Sequence, residues 1–372
     1  MQSRTDDMPG KPVLNISYHV ILMDGDRVQF RKVHDVFAIK RPGLLELVRD
    51  LFPLLDGRPL EDVIDQLQKK HSRESILGLL QRLAQRHVVK EAVEERDDLS
   101  SMSSVQKLYY SQFTPQPGAR LACLGNALIA ILGLGPLGVS VATSLGRSGV
   151  GALHVSDPLP VTGDDVLLSG FSSADMGTSR EEAFLDKARA ALPGSQWEAL
   201  PGLAFERGKY DYIVVCLEKY QPDILERINT LSMESGTPYT WCCLDCHCGT
   251  VGPTVLPHET ACFRCYTTRT RANADYPAEL QAFEDQLREQ GNPTEFGYMP
   301  SHIQILAGLA SLEVVKDLSG LTPPLTYNAQ LEINLLNMEF ALHPVLKLPR
   351  CSVCGRLLSS GAPVRPFKER TP

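Results

Sequence analysis

The sequence predicts an α/β protein in two parts: a small winged-helix-like α+β module, then a doubly wound, Rossmann-like body carrying a four-cysteine site. Three observations support this. Residues 13–93 set strand-like runs ahead of helix-like ones, the chain beyond 127 alternates apolar strands with helices, and two Cys-x-x-Cys pairs lie further on. The composition, 43% hydrophobic and 22% charged over 372 residues, is that of an ordinary globular protein. Lys+Arg 37 against Asp+Glu 44 leaves a net charge of -7, which argues against nucleic acid as the main partner. No apolar run approaches the ~20 residues that cross a bilayer, and residues 1–10 lack a signal-peptide layout, so the chain is expected to be cytoplasmic.

In the first module, Val13 to Met23 reads as a strand, rich in branched and aromatic residues. Asp24-Gly25-Asp26 marks a turn, Val28 to Val33 alternates apolar with polar, and Asp35 to Lys40 forms a third strand. Leu44, Leu47, Val48 and Leu51 share one helix face; Pro59 opens a second helix, and Ser72 caps a third bearing Ile76, Leu79, Leu80 and Leu83. Val88 and Val89 suit a closing strand. Arg27, Arg31, Lys32, Lys40 and Arg41 surround a single acid, Asp35. That pattern fits a solvated strand face or an edge strand that recruits an acidic peptide.

Residues 94–126, charged, then Ser-rich, then Thr-Pro-Gln-Pro-Gly, read as a linker. The body, 127–356, begins with the continuous apolar run Ala127 to Leu132, typical of a buried parallel strand. A helix over Pro136 to Ser148 follows, then strands at Ala152 to Ser156, Asp211 to Leu217 and Tyr239 to Cys243. The tail, 357–372, is expected to be disordered.

Gly133-Leu-Gly135-Pro-Leu-Gly138 follows the first strand and opens the helix, where glycines let a backbone approach a phosphate. Asp157 closes the second strand about 20 residues on, where a ribose-binding acid belongs. The same glycines could serve only the tight turn. Ten cysteines in a large chain without a secretory signal suit metal better than disulfides. Cys262-x-x-Cys265 and Cys351-x-x-Cys354 together offer four thiolates to one structural zinc ion, with unmetallated thiols or a redox pair as weaker readings. Cys242, Cys243, Cys246 and Cys248, beside His247, suit strand packing, a second metal or a reactive thiol; Cys123 and Cys216 read as packing.

The glycine run, Asp157 and the paired cysteines resemble the E1-like (ThiF/MoeB-type) family of activating enzymes. The phrase Val251-Gly252-Pro253-Thr-Val-Leu-Pro257 leading into Cys262-Phe-Arg-Cys265 is most similar to one branch, the ThiF-like partner proteins of YcaO cyclodehydratases. These partners serve azoline formation in ribosomally made peptides such as thiopeptides and bacteriocins. The resemblance covers about 125–356, and 13–93 resembles the peptide-recognition element ahead of that domain. It implies that a leader peptide lies beside Val36, Phe37, Ala38 and Ile39, with Leu79, Leu80 and Leu83 behind it. It also implies a homodimer and a nucleotide site at Gly133, Gly135, Gly138, Asp157 and Glu218.

The chain departs from the active family pattern. An Asn and an Arg are expected soon after Asp157, but the sequence reads Asp164-Asp165-Val-Leu167-Leu; Arg180 is the nearest match to a downstream lysine. Glu218, followed by Lys219, replaces a magnesium-binding Asp. Since phosphoryl chemistry rests on positioned positive charge, the nucleotide site is expected to be vestigial and ATP not to bind. The leading expectation is therefore a leader-binding component that presents its peptide to a separate cyclodehydratase. The alternatives are an active adenylating enzyme acting on a peptide carboxy terminus, with Cys243 or Cys246 as acceptor, and an NAD-dependent oxidoreductase.

Overall fold

A computed structural model describes residues 8–15, 17–32, 35–92, 102–114, 116–200, 205, 207–292 and 297–355. It divides into two compact units, Met1–Pro117 and Gly118–Pro372. The first holds β1 (Pro12–Leu14), β2 (His19–Met23), β3 (Arg27–Lys32), β4 (Asp35–Lys40), α1 (Leu44–Leu51), α2 (Leu60–Leu67), α3 (Arg73–Gln85), β5 (Val89–Glu91) and α4 (Met102–Tyr110). Strands β2, β3 and β4 form an antiparallel sheet with β4 at one edge, and β1 pairs with β5. Val28 and Phe30 of β3 pack with the apolar faces of α1, α2 and α3 in one core. Ser72 caps α3 by accepting from the Ser75 N–H at 3.3 Å.

Two expectations change here. Val13 to Met23 is not one strand. Asn15, 1% exposed, donates from its side chain to the His87 carbonyl at 2.9 Å and its backbone bonds Val88, so the chain turns between β1 and β2. Within 94–126 lie two helices, α4 and all of the next, Pro117–Gly125; residues 93–101 and the tail from 356 lie outside the described residues.

The second unit runs α5 (Pro117–Gly125), β6 (Leu128–Leu132), α6 (Pro136–Arg147), β7 (Ala152–Ser156), α7 (Gly163–Leu168), α8 (Arg180–Ala191), β8 (Gln196–Ala199), β9 (Tyr212–Leu217) and α9 (Pro222–Ser235). It continues with β10 (Tyr239–Asp245), β11 (Cys248–Val251), α10 (Phe263–Asn273), α11 (Pro277–Gln290), α12 (Pro300–Ser319), β12 (Ala329–Asn334) and β13 (Glu339–Pro344). One eight-stranded sheet results, in the order β13-β12-β11-β10-β9-β6-β7-β8. It is parallel from β10 to β8 and antiparallel from β10 to β13.

The chain leaves β6 towards β7 on one side and returns as β9 on the other. That reversal opens a crevice at the carboxyl ends of β6 and β9, where α/β sheets take their ligands. Strand alternation sorts the faces: Ala130, Ile213, Val215, Trp241 and Cys243 pack with α9 and α10, while Cys242 meets Cys216 on the opposite side. Helices α6 and α12 pack together against the sheet. No helix among the described residues is long and apolar enough to cross a membrane.

Candidate functional site

Cys262 is the residue before α10 and Cys265 lies in its first turn; Cys351 and Cys354 flank a short turn after β13. Their sulfurs are 3.8 Å (262–265), 3.6 Å (262–351) and 3.6 Å (265–354) apart, and all four lie within 4.8 Å of one another. A tetrahedron with Zn–S bonds of about 2.3 Å has sulfur edges of about 3.8 Å, so the donor set fits zinc in size as well as chemistry. All four are buried, and without a cation the thiolates would repel one another. The Leu348 N–H donates to Cys265 Sγ at 3.4 Å, an outer contact of the kind that orients a metal ligand. A Cβ on Gly355 would stand 2.5 Å from the Cys351 carbonyl oxygen, so the turn admits only glycine there. With four ligands and no open position, the ion would supply charge neutralisation and a cross-link.

The glycine loop leads from β6 into α6. Gly133, at φ +88°, and Gly138 hold backbone contacts: an added Cβ would meet the Cys216 carbonyl oxygen at 2.2 Å or the Gly133 carbonyl oxygen at 1.9 Å. Gly135 differs. A Cβ there would meet the Glu218 carboxyl group, at 2.3 to 2.6 Å. Glu218, at the end of β9, reaches across the loop, and its Oε1 accepts the Leu137 N–H at 3.2 Å. Its carboxyl therefore sits at the amino end of α6, where a nucleotide phosphate would be held. Burial raises the Glu218 pKa to about 7, against the opposing pull of Arg180 and the Leu137 N–H. The Tyr298 hydroxyl donates to the Glu218 carbonyl at 2.6 Å, a support with no legible signature in the sequence.

Asp157, 5% exposed, accepts the Leu134 N–H at 2.7 Å and the Leu159 N–H at 3.1 Å. Arg180 donates to Asp157 at 3.3 Å and to Asp165 at 2.9 Å. Asp165 is buried and closes a capping box with Thr162. Two carboxyl groups thus share one guanidinium, with Glu218 a further acidic neighbour. Leu167, in the stretch where an arginine was expected, is 80% exposed and offers no charge.

The remaining predicted residues fall as follows. Phe37 and Ile39 of edge strand β4 face the core, Phe37 stacked on Phe30 at 5.0 Å, whereas Val36 and Ala38 face solvent. The Arg86 guanidinium lies 5.1 Å from the Phe37 ring, a groove-side cation that the sequence did not single out. Leu79, Leu80 and Leu83 are at most 1% exposed and belong to the core, since the i, i+3, i+4, i+7 face of α3 turns wholly inward. Cys242 and Cys243 are buried strand residues with thiol pKa values raised, by the Cys216 hydrogen bond and burial for Cys242 and by burial for Cys243. Cys246 is exposed in the β10–β11 turn at φ +56°, and Cys123 is exposed on α5 rather than packed. Among the described residues, the only group of three or more side chains placed to hold a metal is the four-cysteine set.

A doubly wound sheet with this glycine loop, an acid after its second strand and a four-cysteine knuckle has the build of the E1-like superfamily. The ThiF family model matches residues 111–353, and the chain belongs to the ThiF family. In three dimensions it resembles E. coli MccB with MccA-N7isoASN, at TM-score 0.72 and 16% identity over 93% of this chain and 99% of that one. It is equally similar to the microcin C7 biosynthetic enzyme MccB in complex with N-formylated MccA, at TM-score 0.73, 17% identity, and 93% and 100% coverage. The heterocyclase TruD matches at TM-score 0.61 and 18% identity, over 93% of this chain and 43% of TruD. A comparison with curated proteins returns no sequence match.

Proposed function

We propose that this chain is a non-adenylating partner protein of a peptide-modifying enzyme. Its winged-helix-like module, 13–93, binds the leader of a ribosomally made precursor peptide. Its ThiF-type body, 127–356, docks a separate YcaO-type, ATP-using cyclodehydratase that forms azolines from Cys, Ser and Thr, with 94–126 joining the two. The likeness to TruD, named a heterocyclase, and to MccB, named a microcin biosynthetic enzyme, supports a place in peptide-antibiotic biosynthesis. Edge strand β4, hydrogen-bonded to β3 alone, supports peptide docking as an added strand. Zinc at Cys262, Cys265, Cys351 and Cys354 has a structural role. Edge strand β13, with Phe340 and Leu342 about half exposed, supports pairing with a second copy.

The observation that carries the non-adenylating reading is Glu218. A carboxyl group stands on the phosphate position, and the one nearby guanidinium is already divided between Asp157 and Asp165. A triphosphate entering there meets the Glu218 carboxyl and, in Arg180, a guanidinium already held by two acids. ATP–pyrophosphate exchange with the purified chain, magnesium and peptide should stay at background. Exchange that needs both peptide and ATP would overturn this reading in favour of an adenylating enzyme.

A further inference from the structure

The first unit contains a cleft that no part of this reading uses. It measures about 240 Å³ and is lined by Arg41, Gly43, Lys70, His71, Ser72 and Ser75, with Pro42 and Leu47 at its apolar side. Pockets for drug-sized ligands run to roughly 300–1,000 Å³, so this one is the size for a single side chain.

Its side-chain charge is mostly basic. Asp50 engages both Lys70, at 3.4 Å, and His71, at 3.0 Å, and among the described residues no other carboxylate pairs with a cation of the lining; the Asp26 carboxylate accepts the Gly43 N–H at 2.9 Å at its edge. Among the described residues Arg41 makes no ion pair; one arm of its guanidinium donates to the Ser75 carbonyl at 3.1 Å, which fixes the group and leaves its other donors available. Burial and the neighbouring Arg82 lower the Arg41 pKa, the mark of two cations held close together. Two serine hydroxyls, Ser72 and Ser75, line the same space.

Its position is equally specific. Arg41 directly follows Lys40, the last residue of edge strand β4, and its N–H is tied to the Asp26 carbonyl at the hairpin turn, 3.3 Å away. A strand added along β4 therefore ends beside the cleft. We propose that the cleft is a specificity pocket for one acidic side chain, Asp or Glu, of the peptide that docks on β4. The carboxylate is held by Arg41 and Lys70 with the Ser75 hydroxyl, whose proton is available because the Ser72 hydroxyl donates to Ser75 Oγ at 2.9 Å. The proposal rests on the strand-docking reading and adds to it the chemistry of one peptide position.

The test uses the full chain and a positional library of fluorescein-labelled nonapeptides. Val/Thr backgrounds carry Asp, Glu, Asn, Gln or Lys at each position in turn, and binding is read by anisotropy. A charge-assisted contact predicts that Asp or Glu at one terminal position tightens binding about tenfold over its amide. Arg41→Gln should reduce that preference to about twofold or less while the Val/Thr backgrounds still bind. Lys70→Gln should weaken it in part, and since that side chain is 66% exposed the fold is undisturbed. Binding without an acid preference, or a preference unchanged in Arg41→Gln, overturns the pocket and leaves strand docking standing. Failure of every peptide to bind overturns strand docking and the pocket with it.

Discussion

Replacing Cys354 with serine tests the four-cysteine site most directly. Cys354 is 2% exposed and its sulfur is 3.6 Å from that of Cys265. The stretch 346–355 has few other anchors: Arg269 donates to the Leu346 carbonyl, Lys347 to the His258 carbonyl, and the Leu348 N–H reaches Cys265 itself. If four thiolates share the roughly 10–16 kcal/mol with which zinc binds such sites, one carries about 3 kcal/mol. In a unit of this size each kcal/mol moves Tm by about 2–4 °C, so the substitution should lower it by roughly 6–12 °C. Elemental analysis by mass spectrometry should find about one zinc ion per wild-type chain and almost none in Cys354→Ser. Calorimetry on the same samples reads the melting shift. Cys246→Ser, on an exposed turn, should change neither quantity and serves as the control. The reasoning fails if wild-type protein grown with ample zinc carries none, or if Cys354→Ser keeps both its metal and its Tm.

Two further outcomes follow from the geometry. Because the folded-state pKa of Glu218, about 7, lies above the ordinary glutamate value of 4.5, the folded chain holds a proton that the unfolded chain releases between those pH values. Stability should therefore fall as pH rises from about 4.5 to 7. Glu218→Gln should remove that slope, leaving the variant more stable at pH 8 by about 2–3 kcal/mol and little changed at pH 5; parallel urea melts of both proteins would expose any other pattern. On β4, Val36→Asp, at a side chain 46% exposed, should leave folding intact and cost at least about tenfold in affinity for the tightest peptide of the library. Leu80→Asp cannot serve the same purpose, because that core position would unfold the module first.

The parts legible in the sequence are those where one physical requirement dominates. Strands β6, β9 and β10 are buried along nearly their whole length, so they read as unbroken apolar runs, and two Cys-x-x-Cys pairs 89 positions apart read as one four-thiolate set because a tetrahedral metal site needs four donors. Elements shaped by distant partners were not legible. The break at Asn15 depends on bonds to His87 and Val88. Strands β12 and β13 form by pairing outward from β11, and β13 is too exposed to show an alternation. On α3, periodicity located the apolar face, but the pattern does not tell a ligand-facing side from one turned wholly inward, as Leu79, Leu80 and Leu83 are.

The glycine motif shows why a sequence signature and an activity can part company. Two of its three glycines answer to the protein's own backbone. Gly133 and Gly138 must lack a Cβ because the Cys216 and Gly133 carbonyl oxygens leave no room for one, so both would persist in a fold that never meets a nucleotide. Gly135 instead faces a side chain, the Glu218 carboxyl, which accepts the Leu137 N–H at the amino end of α6. Arg180 ties Asp157 to Asp165, so the acid after the second strand belongs to an internal network. The loop is thus satisfied from within. Such a turn keeps the sheet intact whether or not a nucleotide binds, so the motif by itself does not report an activity.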